Sequence, residues 1–241
     1  LCASEESAFY TGLKLQELRL LVDKLTMTLK IPSGVGQRIN RELEFAKAVL
    51  ESLTPAVSIY GSARLAADDP YYAETVALAR ALSAAGISVI SGGGPGIMEA
   101  ANRGAQQGLL GLSIGLNICL PCEQKPNAYQ DVCIEFEHFS SRKVTFCKYS
   151  MAFIAMPGGF GTLDELFEVL TLIQTGKMSN IPVLLFGGEF WAGLLEWLRT
   201  IVLPRGLIAR EDLEERLTIV NSVEEVLQIV LPRIPERVLA A

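Results

Sequence analysis

Residues 151–176 read MAFIAMPGGFGTLDELFEVLTLIQTG, and this stretch decides how the chain folds. Met151 to Met156 is apolar throughout, as expected of a strand covered on both faces. Pro157-Gly-Gly-Phe-Gly161 then breaks the pattern, and Leu163 to Thr175 repeats apolar residues at helical spacing until Gly176 stops it. Strand, glycine turn and helix in such close succession form half of a βαβ unit. Outward from here the same texture recurs in AVSIY (56–60), ISVIS (87–91), LSIGLNI (112–118), VCIEF (132–136), PVLLF (182–186) and LTIV (217–220). Tyr71 to Ala85 reads as a helix started by Asp69-Pro70 and stopped by Gly86, and Ser222-Val-Glu-Glu225 opens a last helix with a capping box. This alternation predicts an α/β fold: a Rossmann-like, doubly wound, mainly parallel seven-stranded sheet.

Two further helical patterns precede the sheet. Leu13 to Leu29 and Arg38 to Leu50 are separated by the breaker Pro32-Ser33-Gly34. They predict an N-terminal helical extension over residues 1–54 and an α/β domain over 55–241. The apolar residues of Leu13 to Leu29 occupy too wide an arc for a helix lying on one surface. The excess predicts a homo-oligomer larger than a dimer.

Composition narrows the function classes. With 21 Lys plus Arg against 27 Asp plus Glu, the 241 residues carry a net charge of −6. Half are hydrophobic and a fifth charged, enough for a sizeable core. The acidic balance, with no basic block, argues against binding a nucleic-acid polymer. The longest clean apolar run, Met151 to Met156, is about a third of the ~20 residues that span a bilayer, so no membrane association is expected. The opening LCASEESAFY lacks the basic start and apolar stretch of a signal peptide. It also lacks Met, which suggests a processed or truncated start. Five cysteines, an odd number in a long chain, predict reduced, buried thiols and a cytoplasmic protein. Cys119-Leu-Pro-Cys122 has redox spacing, but its first cysteine ends a strand and no second pair is present for zinc.

In doubly wound sheets ligands bind beyond the carboxyl ends of the strands. The segments at those ends are Gly61-Ser-Ala-Arg64, Gly92-Gly-Gly-Pro-Gly96, Leu120-Pro-Cys-Glu123, His138-Phe-Ser-Ser-Arg-Lys143 and Pro157-Gly-Gly-Phe-Gly-Thr162. Two of these glycine turns run into helices whose N–H groups can meet a phosphate, which suggests a nucleoside-monophosphate site. A dinucleotide fingerprint is absent, because Ile97 stands where its third glycine belongs, and no Walker lysine comes after either turn. Any one glycine turn can serve the backbone alone. Two on one edge of the sheet favour a ligand.

Glu165 admits two roles on sequence grounds. Thr162-Leu-Asp-Glu165 matches a capping box, and a carboxylate just behind a phosphate loop would also face a bound sugar. Arg142 and Lys143 stand early in a helix, where positive charge opposes the dipole, so a structural role explains them poorly. His138, the sole histidine, cannot build a His-based metal site, and a Ser-His-Asp triad lacks its nucleophile elbow. It reads as loop structure. Trp191, Leu194, Leu195 and Leu198 read as core.

Pro157-Gly-Gly-Phe-Gly-Thr-Leu-Asp-Glu165, with Ser141-Arg-Lys143 and Gly92-Gly-Gly-Pro-Gly-Ile-Met98 upstream, resembles the LOG ("lonely guy") family. Its members are cytokinin riboside 5′-monophosphate phosphoribohydrolases, often mislabelled lysine decarboxylases. The signature PGGxGTxxE and the Arg-Lys pair are intact, and the resemblance covers roughly residues 55 to 230. The N-terminal helices and the long segment before Ser141 resemble the type II branch, which forms higher oligomers, and that resemblance makes a hexamer the favoured state. The resemblance implies hydrolysis of the N-glycosidic bond of a nucleoside 5′-monophosphate, releasing free base and ribose 5-phosphate.

It also implies Arg142 and Glu165 as the catalytic pair. Lys143, Gly158, Gly159, Phe160, Gly161, Thr162 and Thr171 are implied as substrate-binding, and Gly94 and Met98 as part of a second loop. Glu123 matches a further substrate-binding position, at a spacing one residue off the type I pattern. No metal and no cofactor is implied. Pyridoxal phosphate chemistry needs a Schiff-base lysine with a partner for the ring nitrogen, and nothing around Lys143, Lys148 or Lys177 forms one. The identity of the base stays open, with Ala63-Arg64 and Phe160 placed to read it. The alternative is a non-catalytic nucleotide sensor or scaffold using the same pocket.

Overall fold

Short β-branched runs pair into a sheet only where helices cover them, and the helices here fall on both faces. The computed structural model describes residues 34–51, 53, 55–121 and 125–234. In chain order the elements begin with α1 (Val35–Leu50), β1 (Ala56–Tyr60), α2 (Pro70–Ala84), β2 (Ser88–Ser91) and α3 (Ile97–Gly108). Next come β3 (Ser113–Ile118), β4 (Val132–Phe136), α4 (Phe139–Tyr149), β5 (Ala152–Ala155) and α5 (Phe160–Gln174). The chain closes with β6 (Val183–Phe186), α6 (Gly188–Trp197), α7 (Arg210–Glu214), β7 (Leu217–Val220) and α8 (Val223–Val230).

All strand pairs are parallel, in the order β4-β3-β2-β1-β5-β6-β7. The chain winds from β1 toward β4, then returns beside β1 with β5 and winds the other way. That reversal is the switch point where loops diverge and leave a crevice. Register pairs Tyr60 with Ala155, so the loops after β1 and β5 leave the sheet side by side. They are tied there by Ser62 N–H donating to the Pro157 carbonyl at 3.1 Å.

One apolar layer holds Ala46 and Val49 of α1 with Phe136, Phe146, Phe153, Leu166 and Trp191. The other holds Val57, Leu78, Leu82, Ile97, Ile154 and Phe186. Asp69 caps α2 by accepting the Tyr71 N–H at 2.9 Å. Ser222 caps α8 by accepting the Glu225 N–H at 3.2 Å, while the Glu225 carboxylate accepts from Asn221 N–H, one residue before the cap.

The thiols depart from expectation. Cys119 and Cys133 are exposed and Cys147 is half-buried. β4 is an edge strand whose residues alternate between buried and exposed, and that period of two turns Cys133 and Glu135 outward. Cys119 lies just past the end of β3. The helix expected over 13–29, together with Cys2, Cys122 and Glu123, lies outside the described residues. Among the described residues no helix is long and apolar enough to cross a membrane.

Candidate active site

The loops after β1, β2, β3 and β5 and the first turns of α4 and α5 enclose a cavity of about 560 Å³. Two backbone features bring the loops this close. Gly96 has φ of +65°, and a side chain there would collide with the Ser62 carbonyl. At Gly92 a Cβ would overlap the Arg142 guanidinium and the Met98 sulfur. Glycine at 92 is thus what lets Arg142 lie across the end of β2.

Arg142 is nine per cent exposed. Its Nε–H donates to the Leu116 carbonyl at 2.7 Å, and its guanidinium lies 5.2 Å from the Phe146 ring centre. Nη1 faces Glu165 Oε1 at 3.9 Å, too far for a hydrogen bond. Burial lowers the Arg142 pKa, with the charges of Glu165 and Tyr60 acting against it. Burial raises the Glu165 pKa to about 7, although Arg142 and Lys143 favour the anion. A buried carboxyl poised near neutrality beside a fixed cation is an arrangement suited to charge stabilisation or proton transfer.

The capping-box reading of Glu165 does not survive. α5 begins at Phe160, with Gly159 as its N-cap in extended conformation and no side-chain capping bond. Glu165 therefore sits in the second turn, out of reach of the cap N–H. It is buried beside Arg142 instead.

The structure gathers Arg142, Glu165, Met98, Gly159, Phe160, Gly161 and Thr162 around the cavity. Gly158 stands just behind, where a Cβ would overlap the Thr162 hydroxyl. Gly94 is turned away, its carbonyl accepting from Asn127 Nδ2 at 3.0 Å. Lys143 and Thr171 are not among the residues lining the cavity. They line a second, more open hollow with Phe160, Phe167 and Glu168. The Lys143 ammonium pairs with Asp164 at 3.0 Å and Glu168 at 2.9 Å, and these bonds outweigh burial to raise its pKa. The Thr171 hydroxyl donates back to the Phe167 carbonyl of its own helix at 2.7 Å.

Several lining residues escaped the sequence reading: Tyr60, Ile118, Phe139 and Phe146. The rule that sites lie past strand ends took in Phe139, but its apolar character hid it, while Tyr60 and Ile118 were read as strand residues. His138 is more than loop structure. Glu42 of α1 accepts from the Glu137 N–H at 2.9 Å, lies 3.0 Å from His138 Nδ1 and takes the Ser141 hydroxyl. This trio of Glu42, Glu137 and His138 is the one potential metal-ligating group among the described residues, and its geometry ties α1 to the start of α4.

A family model described as "Possible lysine decarboxylase" matches residues 98–230. A Mycobacterium tuberculosis protein named cytokinin riboside 5′-monophosphate phosphoribohydrolase is 30% identical over 171 residues, spanning 69% of this chain and 90% of its own. A Mycobacterium marinum protein of the same name is 30% identical over 157 residues, spanning 65% and 83%. Among solved structures, the molybdenum cofactor binding protein from Rippkaea orientalis superposes with a TM-score of 0.54. At 21% identity over 76% of this chain and 99% of that one, it shares the fold.

Proposed function

The chain belongs to the LOG family, and on that footing we propose that it hydrolyses the N-glycosidic bond of a nucleoside 5′-monophosphate. Cytokinin riboside 5′-monophosphate and AMP are the candidate substrates, with free base and ribose 5-phosphate as products. The observation that carries this reading is the buried Arg142–Glu165 pair, 3.9 Å apart, beside the glycine-opened start of α5.

Cleavage of an N-glycosidic bond builds positive charge on the ribose, as in the oxocarbenium-like transition states of glycosidases. The Glu165 carboxylate is the group to stabilise that charge and to orient the attacking water. Arg142, held by the Leu116 carbonyl, meets the negative charge that develops on the departing base. The unpaired N–H groups of the first turn of α5 suit a phosphate.

The test is a turnover screen of nucleosides and their mono-, di- and triphosphates, with detection of free base and ribose 5-phosphate. Release from monophosphates is the expected result, with kcat/KM for AMP exceeding that for adenosine on the order of 100-fold. Tight nucleotide binding without turnover would instead establish the sensor or scaffold reading.

A further inference from the structure

Among the described residues, charge pairing within the cavity leaves one cation over. Arg64 and Arg142 line it, and so do the carboxylates Asp164 and Glu165. Glu165 faces Arg142, and Asp164 is taken by Lys143 from outside the cavity wall. Arg64 has no carboxylate within ion-pair distance among the described residues. An uncommitted guanidinium facing a ligand cavity carries the geometry for bidentate contact with a phosphate or carboxylate.

The backbone beneath Arg64 is braced on both sides. Ser62 N–H donates to the Pro157 carbonyl at 3.1 Å, and the Ser62 carbonyl accepts from Ile97 N–H at 2.9 Å. The Ser62 hydroxyl accepts the Arg64 N–H at 3.0 Å. The root of the side chain is thus fixed between the two glycine turns while its head remains exposed.

The crevice is also polarised across the sheet. Over β1 and β5 it offers Ser62, Arg64 and the start of α5, whereas over β3 and β4 it offers Ile118, Leu120 and Phe139. A nucleoside monophosphate is polarised in the same way, with a dianion at one end and a flat apolar base at the other. We propose that Arg64 recognises the phosphate end, and that the base lies toward Leu120 and Phe139. The scissile bond then falls at Arg142 and Glu165 in between. This assignment rests on the nucleotide reading of the site and departs from the base-reading role that sequence order suggested for Arg64.

The experiment measures binding of AMP, ribose 5-phosphate and adenosine to the full chain by calorimetry, for the wild type, Arg64→Ala and Arg64→Lys. The same preparations are assayed for AMP turnover. Arg64→Ala is expected to weaken AMP and ribose 5-phosphate by a common factor of about tenfold or more while leaving adenosine unchanged, with Arg64→Lys intermediate. Unchanged affinities in Arg64→Ala would overturn the proposal. So would a loss confined to AMP with ribose 5-phosphate unaffected, which would make Arg64 a reader of the base. A wild type that neither binds nor hydrolyses AMP would overturn the nucleotide reading itself, and this assignment with it.

Discussion

At Glu165 burial and charge pull against each other. Burial wins, and the carboxyl titrates at about 7 despite the cations Arg142 and Lys143. If the anion does the work, kcat/KM rises with pH through about 7 and levels above it. Glu165→Gln should remove that limb and lower kcat by at least about 100-fold, with the thermal midpoint at pH 5, where the wild-type carboxyl is protonated, nearly unchanged. Near-normal turnover in the Gln variant would leave Glu165 a packing residue only.

Stability carries the same signature with the opposite sense. The carboxyl's ordinary pKa is 4.5, so between there and about 7 the folded state binds more protons than the unfolded one. Stability therefore declines as pH rises across that window, by on the order of 3 kcal/mol, and is flat above it. Urea melts at pH 5 and pH 8 should show this decline in the wild type and not in Glu165→Gln. Gly92 offers a second residue-scale check. The nearest atoms a methyl there meets belong to the side chains of Arg142 and Met98 and not to backbone, so Gly92→Ala should fold. Displacement of the guanidinium should cost about tenfold or more in kcat/KM, while the circular dichroism melt stays close to wild type.

At the scale of elements, two helices set the geometry and each is placed by something outside itself. α5 starts a full turn before its first aliphatic residue, because Gly159 leaves β5 in an extended conformation and lets Phe160 and Gly161 enter the helix. That earlier start places Glu165 inside the cavity instead of at the cap. α4 carries Arg142, and its start is held by Glu42 from α1 through the Glu137 N–H, His138 and Ser141. Glu42→Ala removes an acceptor from three groups at once and should destabilise the protein by about 1–3 kcal/mol in chemical denaturation. kcat/KM should fall with it, since a looser α4 misplaces Arg142 relative to Glu165. Unaltered stability would mean that these groups find water equally well.

For the whole molecule, the outer faces of α4 and α5 leave a patch unexplained by the single chain. Phe160 is 93% exposed, and Phe167 is exposed with it around the hollow that holds Lys143 and Thr171. Exposed aromatic side chains grouped in this way mark a protein contact. The chain in solution is expected to scatter light as a homo-oligomer larger than a dimer, with six copies favoured. A dimer would sink that expectation, and a monomer would also leave the patch without a partner.

The fold was legible because its signal is local. Apolar runs such as 151–156 and 182–186 can be satisfied only by strands covered on both faces, and helices between them leave parallel pairing as the geometric outcome. Asp69-Pro70, Gly86, Gly176 and Ser222 marked helix ends through chemistry confined to a few neighbouring residues. The site was legible in part, since glycines and charges past strand ends stand out in a chain otherwise rich in apolar residues.

Pairing across distant elements was not legible. Lys143 comes directly after Arg142, yet successive residues on a helix diverge by about 100°. One side chain therefore enters the cavity and the other turns toward Asp164 and Glu168. The cap of α5, the bond from Glu42 to α4 and the lack of a carboxylate near Arg64 among the described residues all depend on atoms brought together, or kept apart, from far along the chain. A carboxylate's role and its pKa depend on how much water its neighbours exclude, and that exclusion exists only once the helices have packed.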